Sequence, residues 1–154
     1  MKKTIAMAAV IMTFLMLSAC EKYEDGRPEK MTRNEFSQMF PDAKDVEWER
    51  EGGCWKVSFE TGKGAGRVDH EAWYGLDGSW LRTESEMGLS SVPQYIKDYL
   101  EASEYGSASF EDHDAEYIQT PSGNHYRFDL IHSGAKIYVD VSEDGKVILA
   151  KFDW

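Results

Sequence analysis

Apolar and polar residues alternate along Cys54–Glu60 and again along His125–Ile131, the period-two pattern of a strand with one buried face. Trp55, Val57 and Phe59 share one side of the first segment, opposite Cys54, Lys56, Ser58 and Glu60; Tyr126, Phe128 and Leu130 oppose His125, Arg127, Asp129 and Ile131 in the second. Asp77-Gly78 and Asp144-Gly145 each separate two further strand-like runs and predict hairpin turns. A longer period marks two helices. In SSVPQYIKDYLEA, Val92, Tyr95, Ile96, Tyr99 and Leu100 form one amphipathic stripe, with Ser91 and Gln94 as its cap. In MTRNEFSQMFP, Phe36, Met39 and Phe40 form the stripe, Thr32 and Glu35 have capping-box spacing, Met31 and Phe36 a staple, and Pro41 a stop. The chain therefore reads as a helix and four strands, twice, with antiparallel meanders in each unit. One such unit could not bury both a helix stripe and a sheet face; two side by side can.

The N-terminus follows another pattern. Lys2 and Lys3 precede an apolar run, Thr4–Met16, and then Leu17-Ser18-Ala19-Cys20, which resembles the bacterial lipobox. The expectation is a lipoprotein signal peptide at 1–19, lipidation of Cys20, and a polar tether over 20–31 leading to a domain at 32–154 in two repeats, about 32–88 and 89–154. The address is an exported bacterial lipoprotein, on a periplasm-facing membrane or the cell surface, held to the membrane through its N-terminal lipid. An acylated Cys20 could not pair with Cys54, the other cysteine, so stability must come from packing. The formal charge of −11 argues against nucleic acid and is the ordinary device of solubility; a basic partner is the sharper alternative.

The segments FPDAKDVEWEREGGCWKVSFE, EAWYGLDGSWLRTESEM, VPQYIKDYL and YVDVSEDGKVI resemble those of the PepSY-like exported lipoproteins of bacteria, a family related in fold to the β-lactamase inhibitory protein. The resemblance spans about Met31–Trp154. It implies an α+β fold: two tandem helix-plus-four-strand antiparallel units forming one curved sheet with the helices packed on one face. In the inhibitor the free face grips an enzyme. The resemblance brings no catalytic residues.

Aligning the two turns puts Ala72, Tyr74 and Trp80 with the core residues Val139, Val141 and Val147, and leaves Trp73, Leu81, Tyr138 and Ile148 on the open face beside Lys56, Arg127 and Asp129. Aromatic residues and arginine dominate interface energetics. The candidate partner-binding set is Trp73, Leu81, Tyr138, Arg127 and Lys56, for an unknown protein or peptide. His70, His113, His125 and His132 show no metal spacing. Asp140, Ser142 and Asp144 imitate the start of a calcium loop, but position twelve is Lys151 and the pattern continues as a strand, so a hairpin is expected, with weak calcium binding left open. No nucleophile elbow, phosphate loop or dinucleotide fingerprint occurs. The expectation is a binding protein without cofactor, metal or catalysis. The alternative is an envelope sensor or small-ligand binder, with a pocket between helices and sheet lined by Tyr95, Tyr99 and Trp55.

Overall fold

A computed structural model of the protein describes residues 22–24 and 26–150. Cys20, the signal segment and Lys151 lie outside the described residues. The elements are β1 (Lys22–Tyr23), α1 (Lys30–Met39), β2 (Lys44–Glu51), β3 (Cys54–Thr61), β4 (Val68–Tyr74) and β5 (Trp80–Gly88). Then follow α2 (Gln94–Glu101), β6 (Ser109–Phe110), β7 (Asp114–Thr120), β8 (Gly123–His132), β9 (Ala135–Ser142) and β10 (Val147–Leu149). All ten strands join one mixed sheet, in the order β1-β2-β3-β4-β5-β7-β8-β9-β10, with β6 on the free edge of β8. Only β1–β2 is parallel among the paired strands. The helix-then-strands order occurs twice, and β5–β7 pairing welds the two halves.

Register carries one set of side chains across the whole sheet: Val57 pairs with Ala72, Ala72 with Thr83, Thr83 with Gln119, and Tyr117 with Tyr126. On that face α1 buries Phe36 among Trp48, Phe59 and Tyr74, rings meeting edge-to-face at 5.0–6.5 Å. α2 buries Ile96 and Leu100 among Phe128, Leu130, Val139 and Val141. Both helices thus cover the same face. One half is filled with aromatics, the other mostly with aliphatics.

Each helix also rests on an Asp-Gly turn. At Gly78, φ +85°, an added Cβ would stand 3.2 Å from Thr32 Oγ1; at Gly145, φ +90°, it would stand 3.1 Å from the Tyr99 ring. Only a residue without a side chain combines a left-handed φ with so close an approach. The hairpin recurs because each helix needs such a seat.

Several local expectations are corrected. Thr32 does not cap α1; it is the third helical residue, 1% exposed and packed against the turn, while Glu29 occupies the cap without a side-chain bond. Ser91 is in a short 3-10 turn, and Pro93 precedes α2. The segment read as a free tether is partly docked: Lys22 and Tyr23 pair with β2, Tyr23 packs against the aromatic cluster, and Pro28 is buried. The Pro41 stop holds, with α1 ending at Met39.

Candidate functional site

The face away from the helices carries the alternate residues of every strand. β2 contributes Glu47, Glu49 and Glu51; β4, Asp69 and Glu71; β5, Glu84 and Glu86; β7, Asp114 and Glu116. The sequence shows these alternations plainly in KDVEWERE and TESEMG. Sequence reasoning set the acidic residues aside as general composition, and so missed that they share one side.

Lys56, Arg82 and Arg127 are among the cations embedded in this acidic field. Lys56 Nζ lies 2.6 Å from Glu49, 3.3 Å from Glu71 and 3.5 Å from Glu51. Burial alone would lower the ammonium pKa, but the hydrogen bond to Glu49 and the charge of Glu71 outweigh it and raise it. Arg82 covers the Trp73 ring at 3.9 Å and reaches Glu84 at 3.1 Å. Arg127 grips Asp140 through two bonds, Nε to Oδ1 at 2.8 Å and Nη2 to Oδ2 at 3.1 Å. His125 is 3.7 Å from the same carboxylate, and burial pushes its pKa down.

Between these cations runs an open groove of about 470 Å³. Eight of its twelve lining residues are carboxylates, none is lysine or arginine, and the rest are Ser58, Phe59, His70 and Ser85. A smaller groove of about 180 Å³ shares Glu86 and Glu116 with it and continues to Asp114, Arg127 and Asp129. Burial raises the carboxyl pKa of Glu84 against the pull of Arg82 and Arg127; burial, helped by the charge of Glu84, raises that of Glu116. Lys22 pairs with Glu47, Arg67 with Glu60 and Asp69, Lys56 with Glu71 and Arg82 with Glu84, so the eight wall carboxylates meet four cations in these pairs. The negative potential of the groove is therefore incompletely neutralised from within.

Lys56, Trp73, Arg127 and Tyr138 all fall on the open face by register, yet they differ in access. Trp73 is only 6% exposed, capped by Arg82, with its indole Nε1 donating to Glu51 Oε2 at 3.1 Å. It supports the surface from beneath. Ile118, also buried on this side, belongs to neither helix-side cluster. Leu81 is not opposite Trp73: a bulge makes it the extra residue, 43% exposed, and Arg82 takes the facing position. Lys56 and Arg127 are held in the pairs just described. Tyr138 is half-buried, with Lys136 Nζ 4.9 Å from its ring centroid. The pocket expected from Tyr95, Tyr99 and Trp55 is not assembled. Trp55 packs in the α1 cluster under Arg50, and the two tyrosines form an exposed pair on α2, in the other half.

The calcium-like stretch closes a hairpin, Ser142 N donating to Lys146 O at 2.9 Å, and both carboxylate oxygens of Asp140 are engaged by Arg127. Glu111, Asp112 and Asp129 converge within 4.8 Å, but Lys136 Nζ already bridges Glu111 and Asp129. His70 points to the helix side, held between Thr61 Oγ1 and Ser85 Oγ at 2.7 Å each. The Cys54 thiol is free and lies 2.9 Å from the Glu51 carbonyl.

One large mixed sheet with both helices on one face defines an α+β fold of the BLIP-like class. A BLIP-like protein from Bacteroides fragilis superposes with a TM-score of 0.67 at 19% identity, over 80% of this chain and 84% of that one. A DUF2874 family protein from Bacteroides ovatus gives 0.66 at 14% identity, over 80% and 89%. A Bacteroides eggerthii protein with a provisional periplasmic designation gives 0.63 at 17% identity, over 80% and 87%. At these identities the likeness is one of fold. The sequence matches no protein-family model and no curated protein.

Proposed function

We propose that the protein is a non-catalytic binding module working outside the cytoplasm, anchored through a lipid on Cys20, that presents its open sheet face to a protein or peptide. Its domain would comprise two repeats, about 32–88 and 89–154, with β1 and the start of α1 adding to the first, behind a signal peptide at 1–19. The observation that carries this reading is the asymmetry of the sheet: both helices lie on one side, and the other is a grooved, charged surface. The lipobox-like LSAC and the PepSY-like pattern support the address. The BLIP-like fold supports a protein partner. Within the open face, Tyr138, Leu81, Lys56 and Arg127 remain the contact candidates, while Trp73 acts through the surface it supports.

A site-specific photo-crosslinker tests the reading in cells. Benzoylphenylalanine in place of Tyr138 or Ile148, both on the open face, is expected to trap a discrete partner; the same probe at Tyr95, on the helix side, is not. Equal trapping at all positions, or trapping only at Tyr95, overturns the assignment. Cys20→Ser is expected to abolish lipid labelling and release the protein from membranes. Unchanged labelling overturns the anchor.

A further inference from the structure

We infer that the open face is built to receive a lysine- and arginine-rich extended polypeptide segment, laid across the strands from β3 to β8 along the acidic groove. This rests on the open-face reading above and names the chemistry of its partner.

Three observations lead there. First, eight of the groove's twelve lining residues are carboxylates and none is lysine or arginine; Glu47, Glu60, Asp69, Glu71 and Glu84 share four cations, Lys22, Arg67, Lys56 and Arg82, so negative charge is in excess along the walls. A cationic occupant would balance that excess, whereas an acidic one would add to it. Second, the two grooves meet at Glu86 and Glu116, so the acidic surface is continuous across β3, β4, β5, β7 and β8. Four strand spacings of about 4.8 Å make a run of roughly 19 Å, the length of about six extended residues. A single metal ion or one ammonium group would occupy only a fraction of it. Third, the cations at this face are already paired: Lys56 with three glutamates, Arg127 with Asp140, Lys22 with Glu47, Arg82 with Glu84, and Arg67 with Glu60 and Asp69. They do not fill the groove.

The test uses the mature protein and fluorescein-labelled acetyl-hexalysine amide, followed by anisotropy at low and at raised salt. Asp69→Asn, Glu86→Gln and Glu116→Gln together remove charge from β4, β5 and β7. They are expected to weaken binding by about tenfold or more. A control with the same charge change on the other side, Asp98→Asn, Glu101→Gln and Glu104→Gln, should alter it by less than about twofold. If the groove triple fails to fold, Glu86→Gln alone, at an exposed position, serves in its place. Equal weakening by the two triples overturns the inference in favour of diffuse charge. So does spermine or calcium displacing the peptide at matched charge concentration. A partner crosslinked at Tyr138 whose capture survives the groove triple would leave the open-face function standing and overturn the cationic segment alone. Groove-dependent peptide binding with no open-face crosslink would instead overturn only the broader reading.

Discussion

Glu116 faces Glu86 on one neighbouring strand and Arg127 on the other, and burial together with the charge of Glu84 lifts its carboxyl pKa. Glu84 is lifted by burial in the same way. A carboxyl whose folded pKa exceeds its unfolded value favours folding fully below the unfolded pKa, about 4.5, and loses that contribution as pH rises through the folded value. Glu116→Gln should therefore raise the melting temperature at pH 7 by about 2 °C and flatten the decline of stability above pH 4.5, both measurable by calorimetry across pH. Asp140→Ala works in the opposite direction. It removes both hydrogen bonds that Asp140 accepts from the largely buried Arg127 guanidinium and should cost about 2 kcal/mol in urea unfolding. The sequence placed Lys56 and Arg127 on the open face by simple alternation. It did not reveal their partners, because Glu49, Glu71 and Asp140 are on adjacent strands and only register brings them together.

At the scale of elements, the two helix seats can be measured against a turn that has none. Gly78 and Gly134 have nearly equal φ, +85° and +79°, but nothing lies within 4 Å of a Cβ at Gly134. Both alanine variants incur the strain of a left-handed residue, about 1 kcal/mol. Only Gly78→Ala, and likewise Gly145→Ala, should lose a further increment of about 1 kcal/mol or more by lifting the helix from its turn, as read by denaturant midpoints. The sequence located both helices, both Asp-Gly turns and nearly every strand, because periodicity and turn chemistry are local signals. It misjudged what depends on distant packing. Thr32 had the spacing of a cap, yet burial against Gly78 draws it into the helix, and the bulge at Leu81 shifts a register that alternation alone could not anticipate.

The two halves join at the β5–β7 ladder, with Met87 of β5 packing into the cluster under α2, so unfolding should be cooperative while that ladder persists. Four of the five tryptophans, Trp48, Trp55, Trp73 and Trp80, belong to the α1 half; with the fifth changed, Trp154→Phe, tryptophan fluorescence reports that half alone. In the parent protein, tryptophan fluorescence and far-ultraviolet circular dichroism should give coincident urea transitions. Ser85→Pro, placed between His70 and Tyr117 in the central strand, removes a ladder donor and should separate the two curves. The overall architecture was legible in the sequence as a repeated pattern, but the acidic trough was not. Its walls come from six strands of both halves, and only assembly of the sheet makes them a single surface.

The seating of each helix on a glycine also divides the loops into those that must keep their length and those that need not. The turns at Gly78 and Gly145 are pinned from above, so an inserted residue would push a helix outward. The bends at Gly52-Gly53, Gly64 and Gly134 meet nothing overhead. Relatives of this chain that acquire new specificities should therefore lengthen and diversify at those unpinned bends, leaving the two Asp-Gly corners the same size throughout.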